Sequence, residues 1–149
     1  MSSDIGEIKE KIKKDVLRVF REVIEGKREG RVYRGVEKID YDPARRSIWF
    51  RHITGDGIDM PVRLWGIDNI FLLGNVRVHS SSWGERRKLR YISFKEKAKC
   101  ITTEATENDE GLMEILEVPQ GVMICIPEKL LEEKTSKREK KQKTILEFL

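Results

Sequence analysis

Hydroxyls, cations and aromatic rings crowd into one stretch of this chain, "HSSSWGERRKLRY", from His79 to Tyr91. Serine hydroxyls such as that of Ser81 can donate to phosphate oxygens, and Arg86, Arg87, Lys88 and Arg90 bring positive charge. Trp83 and Tyr91 could stack on bases, the device of single-strand binders built on small barrels. The stretch is therefore a candidate nucleic-acid contact. Its bland alternative is a mobile hairpin loop with Trp83 tucked against a sheet and its cations solvated. A second cluster, Glu104, Glu107, Asp109 and Glu110, could hold Mg²⁺, the ion of phosphoryl chemistry on nucleic acids. Asp40, Asp42, Asp56 and Asp59 fall where turns are expected, and Asp is favoured in turns for backbone reasons alone. His52 shares a strand face with Ile48 and Phe50, which suits a buried or rim imidazole better than a base. His79 borders the serines and is the better placed of the two. Cys100 and Cys125 lie in apolar runs and read as small core residues. Two cysteines make no disulfide framework, and neither a CxxC nor metal-ligand spacing is present. P-loop, Rossmann, GxSxG and HExxH signatures are all missing, so no catalytic set is identified.

Chemistry of another kind lies at Gln142–Leu149. Past Pro127 the chain turns polar and charged, with only Leu130 and Leu131 to bury, and apolar residues return at Ile145, Leu146, Phe148 and Leu149. Such a segment cannot offset its own ordering entropy, so 131–141 is expected to be a flexible charged linker. The spacing Gln142, two free positions, Ile145, two free positions, Phe148 and Leu149 resembles the PIP box. That is the peptide by which replication and repair proteins dock on the sliding clamp PCNA. Leu149 departs from the fuller pattern, which has a second aromatic there. The resemblance covers these eight residues alone and is of the form common on archaeal replication and repair enzymes. It implies that Gln142, Ile145, Phe148 and Leu149 are clamp-binding residues and that PCNA is a partner. One tight helical turn would put Ile145 and Phe148 on the same side as a plug. Each large side chain so buried contributes roughly 1.5–3 kcal/mol.

The elements that must carry these residues are legible from hydrophobic period. Ile5, Ile8, Ile12, Val16, Val19, Phe20, Val23 and Ile24 follow helical spacing, which predicts an amphipathic helix over 4–26. Asp4 is placed to cap it, and Gly26 or Gly30 to end it. From 31 to 127 the rhythm becomes that of strands. "RVYRGVEKI" and "RSIWFRHIT" flank a turn, and "DMPVRLWGI", "NIFLLGNVRVH", "KLRYISFKE", "AKCITTEA", "MEILEV" and "VMICIP" follow. The expected fold class is α+β, the N-terminal helix packed on a curved antiparallel sheet or small barrel, with a disordered C-terminal tail. The expected organisation is a single domain over 1–130, the linker over 131–141 and the docking peptide over 142–149.

Composition agrees with such a division. The chain has 149 residues, 38% hydrophobic and 38% charged, enough for a core under a heavily charged surface. Abundant Lys, Arg and Glu with few Gln, Asn and Cys is a thermophile-like bias. Charge is segregated: Trp83–Cys100 holds seven basic and two acidic residues, and Ile101–Glu117 holds six acidic and no basic ones. Nucleic acid would sense that asymmetry, although charged outer faces of two solvated strands would look the same. No signal-peptide pattern opens the chain, and no apolar run approaches the ~20 residues of a membrane span. These features predict a soluble, cytoplasmic and nucleoid-associated protein without membrane contact.

The expectation is a replication or repair accessory protein bound to PCNA, its body holding DNA or another protein and needing no small-molecule cofactor. A clamp-tethered nuclease using Mg²⁺ is one alternative. A regulator that competes with other clamp clients is another. An enzyme is the less favoured of these readings.

Overall fold

The structure, a computed structural model, describes residues 2–74, 76–83 and 87–131, and within them the side chains of 10–74, 76–79 and 89–131. The segment 142–149 expected to dock on a clamp, with Gln142, Ile145, Phe148 and Leu149, lies outside the described residues, as does Arg86.

One helix leads into a seven-stranded sheet. The elements run α1 (Ser2–Ile24), β1 (Arg31–Asp42), β2 (Ser47–Ile53), β3 (Asp59–Trp65), β4 (Asn69–Leu72), β5 (Val76–Trp83), β6 (Arg87–Ala105), α2 (Glu110–Leu116) and β7 (Gln120–Pro127). The fold is mixed α+β. Strand order is β3-β2-β1-β6-β7-β4, with β5 also paired to β6. α1 starts two residues before the expected position, which puts Asp4 inside the helix, and Gly26 at φ 75 closes the turn after it. Among the described residues no helix is long and apolar enough to cross a membrane.

Strands bury alternate residues on opposite faces, and both faces are used. On one face Ile39, Tyr41, Ile48, Phe50, Ile92, Phe94 and Met123 form a core. Val62 and Leu64 from β3 join it, as do Ile70 and Leu72 from β4. These come from opposite ends of the strand order, so the sheet must bend around the cluster. Bulges supply the bend. β1 slips register between Tyr33 and Val36 and again between Val36 and Lys38, where Gly35 sits at φ 65. A Cβ on Gly35 would lie 2.6 Å from Ile53, so space as well as φ requires glycine. At the same level β6 changes partner, pairing with β5 up to Phe94 and with β7 from Ala98.

The other face carries the helices. Val16, Val19, Phe20 and Val23 of α1 pack with Leu112 and Leu116 of α2 over Ile101, Ala105, Val122, Ile124 and Ile126. Each fully buried side chain of this size contributes roughly 1.5–3 kcal/mol.

Four expectations require correction. The sheet is not wholly antiparallel, because β4 runs parallel to β7. Asp68 secures that pair: its N–H donates to Gly121 O at 2.8 Å, and its carboxylate accepts from Gly121 N at 3.1 Å and from Arg46 Nε at 2.6 Å. "MEILEV" belongs largely to α2, where Leu112 and Leu116 obey helical spacing. Its first amides are satisfied from another helix, Asp15 of α1 accepting from Gly111 N at 2.6 Å and Leu112 N at 3.2 Å. The serines 80–82 lie in β5 rather than in a loop. Finally, Cys100 and Cys125 are not separate core thiols. They face each other across β6 and β7, fully buried, with Cα atoms 4.1 Å apart, and form a disulfide.

Candidate nucleic-acid interface

Strand register builds one continuous row across five strands. Arg63 pairs with Trp49, Trp49 with Asp40, Asp40 with Tyr91, and Tyr91 with His79. Residues directly opposite in antiparallel strands share a face. On β6 Tyr91 has the parity of Ile101 and Ala105, the residues beneath the helices. The row therefore belongs to the same outer face, further along, where the two helices do not reach. Adjacent rows hold Trp65 opposite Ser47 and, on the other side, Lys38 opposite Ser93 opposite Arg77.

Large aromatics stand open on this face. Trp49 is 39% and Trp65 61% exposed, and Tyr91 is half-buried. Arg63 holds its guanidinium 5.9 Å from the centre of the Trp65 ring, close enough for cation–π attraction. Lys38, Arg51, Arg63, Arg77, Lys95 and Lys97 are exposed, and Arg51 donates to Asp59 at 3.0 Å. Beside the Gly35 bulge a cavity of about 250 Å³ is lined by Trp49, the cations Lys38, Arg51 and Lys97, and the acids Glu37 and Asp59. Flat rings able to stack on bases, spaced among cations able to meet phosphates, are the parts of a single-strand platform.

The register divides the residues that the sequence singled out. Ser81 pairs with Leu89 and Trp83 with Arg87, at the parity of Tyr91. Lys88 and Arg90 fall at the opposite parity. For Ser81, Trp83, Arg87 and Lys88 the register alone is described; Arg90 is exposed. His79 is exposed beside Tyr91, ring centres 6.1 Å apart. His52 is half-buried against Tyr33, ring centres 5.0 Å apart and edge to face, which fits a rim imidazole. Trp49 and Trp65 escaped the sequence reading, yet a signal exists. Both occupy the polar phase of their strands, alongside Arg51 and Arg63, where a core aromatic does not belong.

The acidic cluster dissolves on inspection. Asp109 is fully buried and receives Arg18 at 2.7 Å, Arg28 at 2.5 and 3.1 Å, and the Thr106 amide at 2.8 Å. Burial alone would raise its carboxyl; the hydrogen bonds from Arg28, Thr106 and Arg18 outweigh it and hold the group at about 2. Glu104, Glu107 and Glu110 remain on the surface. Asp42 and Asp59 are paired with Arg45 and Arg51. Among the described residues no three His, Cys, Asp or Glu side chains are grouped to hold a metal ion.

Fold and face together define an α+β protein whose sheet is capped by helices over one part of its outer surface and left aromatic and basic over the other. No family model, curated protein or solved structure matches the chain.

Proposed function

We propose that this protein is a DNA accessory factor that holds single-stranded DNA on the outer face of β3, β2, β1, β6 and β5. On this reading Gln142, Ile145, Phe148 and Leu149 tether it to a PCNA-type sliding clamp, and it works at the nucleoid. The observation that carries the body's role is the row Arg63, Trp49, Asp40, Tyr91 and His79, open to solvent beside the helix-covered part of the sheet. The clamp tether rests on the spacing of the docking peptide. Tethering would raise the local concentration of the body at DNA to about millimolar without a new contact. The nuclease reading draws no support from Asp109, whose carboxylate is held by two arginines.

The test combines two measurements on the full chain. Anisotropy titrations of labelled single-stranded and duplex DNA should favour the single strand, with affinity falling linearly on a log scale as salt rises. Retention on an immobilised sliding clamp should require the docking peptide. A body that binds neither form of DNA refutes the first half of the proposal, and a clamp that retains nothing refutes the second.

A further inference from the structure

We infer that Asp40 makes the outer face select guanine from among single-stranded bases. The inference deepens the single-strand reading and rests on it. Asp40 lies in register between Trp49 on β2 and Tyr91 on β6, the two rings of the central row. Directly opposed residues keep their Cβ atoms about 5 Å apart, so the edge of a base stacked on either ring comes within reach of this carboxylate. Asp40 is exposed, and its carboxylate makes no hydrogen bond or ion pair with any described residue. Its neighbours differ: Asp42 accepts from the Arg45 amide, and Asp59 is held by Arg51. Asp40 is thus an acceptor with both oxygens available, among the exposed cations Lys38, Arg63 and Arg77, while nearby Asp42 and Asp59 are already held by arginines.

A phosphate is repelled from that spot, so whatever the strand presents to Asp40 is a base edge. A carboxylate accepts best from two parallel N–H donors. Guanine alone offers two adjacent donors, N1–H and the N2 amino group, on its pairing edge. Adenine and cytosine each put one amino group beside a ring nitrogen whose lone pair opposes the carboxylate. Thymine has one N–H between two carbonyl oxygens. The pairing edge is free only in a single strand, so the same chemistry also disfavours duplex DNA.

The experiment compares three labelled strands of about twelve nucleotides, a length within the range that small β-platforms cover. One is oligothymidylate, one carries several guanines in place of thymines, and one carries inosine, which lacks the N2 amino group, at those positions. The native protein should bind the guanine strand about tenfold tighter than oligothymidylate, the scale of one bidentate contact, and inosine should forfeit most of that gain. Asp40→Ala and Asp40→Asn should bind all three strands alike, and oligothymidylate no more weakly than the native protein does. Equal binding of the three strands by the native protein, or a guanine preference surviving in both variants, overturns the inference while leaving single-strand binding intact. If the native protein binds none of the three, the single-strand reading falls and takes this inference with it.

Discussion

Arg28 and Asp109, 81 residues apart in the chain, are joined by two hydrogen bonds, Nη1 to Oδ1 at 3.1 Å and Nη2 to Oδ2 at 2.5 Å. Arg28 is also tied to Glu22 at 3.0 Å, and Arg18 bridges Asp15, Glu22 and Asp109. This network fastens the end of α1 to the start of α2. Asp109→Ala would strip Arg28, whose side chain is 14% exposed, of its two-bond partner and leave it only the carboxylate of Glu22. The expected loss is roughly 3 kcal/mol, the scale for breaking a buried pair by removing one partner. Urea unfolding measures it, and a loss below about 0.5 kcal/mol, the size of an ordinary surface change, contradicts a structural role.

The same residue sets an acid limit. Its carboxyl is held at about 2 when folded, below its ordinary 3.8. A carboxyl lowered by folding contributes stability that is complete above its unfolded value and is lost as pH falls toward the folded one. Between about pH 4 and pH 2 the native protein should therefore lose about 2 kcal/mol through this group. Asp109→Asn should flatten that part of the stability–pH curve. An unchanged slope in the variant would mean that other carboxylates drive acid unfolding.

The Cys100–Cys125 disulfide closes a loop of 25 residues between β6 and β7. Cross-linking a loop of that length is worth about 3 kcal/mol. Replacing both cysteines with alanine should lower stability by about that amount, and the native protein should melt lower in the presence of reductant. Because the two sulfurs are bonded to each other and fully buried, thiol labelling should require reductant as well as unfolding. Rapid labelling of the folded, oxidised protein would contradict the assignment.

On the outer face Trp49→Ala and Trp65→Ala should each weaken single-stranded DNA binding by about 1–3 kcal/mol, the worth of one stacked base. Trp65 stands 61% exposed, so its loss should move the melting temperature little. Arg63→Ala with Arg77→Ala should reduce the salt slope instead, since exposed cations of this face would meet phosphates. If the tryptophan variants bind normally, the face is not the platform.

For the clamp tether, Ile145→Ala with Phe148→Ala should abolish binding to a sliding clamp while leaving the melting temperature of the body unchanged. Binding for one such peptide is expected at about micromolar strength, near −8 kcal/mol. Calorimetry reads the first outcome and circular dichroism the second. Clamp binding that persists in the double variant would remove the resemblance as a guide to function.

Much of the fold was legible because its causes are local. The stripe from Ile12 to Val23 required a helix, and the alternation of Ile48 and Phe50, and of Leu89 and Tyr91 with Lys88 and Arg90, required strands. What misled was also local. "MEILEV" looks like a strand until Asp15, almost a hundred residues away, satisfies the amides that begin a helix there. Chain-neighbour patterns contain no trace of that contact. The serine run looked like a loop because hydroxyls and Gly84 suggest turns, yet pairing with β6 draws Ser80, Ser81 and Ser82 into a strand.

By itself, then, the sequence determined the periodicities, the segregation of charge and the spacing of the proposed docking peptide, since each depends on side chains a few positions apart. Tertiary structure alone decided which strands are neighbours, and with that the disulfide, the two arginines on Asp109 and the row from Arg63 to His79. Helix packing decided which part of the outer sheet is buried and which stays open. Those outcomes depend on distant segments competing for one apolar surface, a contest settled by shape and packing across the whole fold.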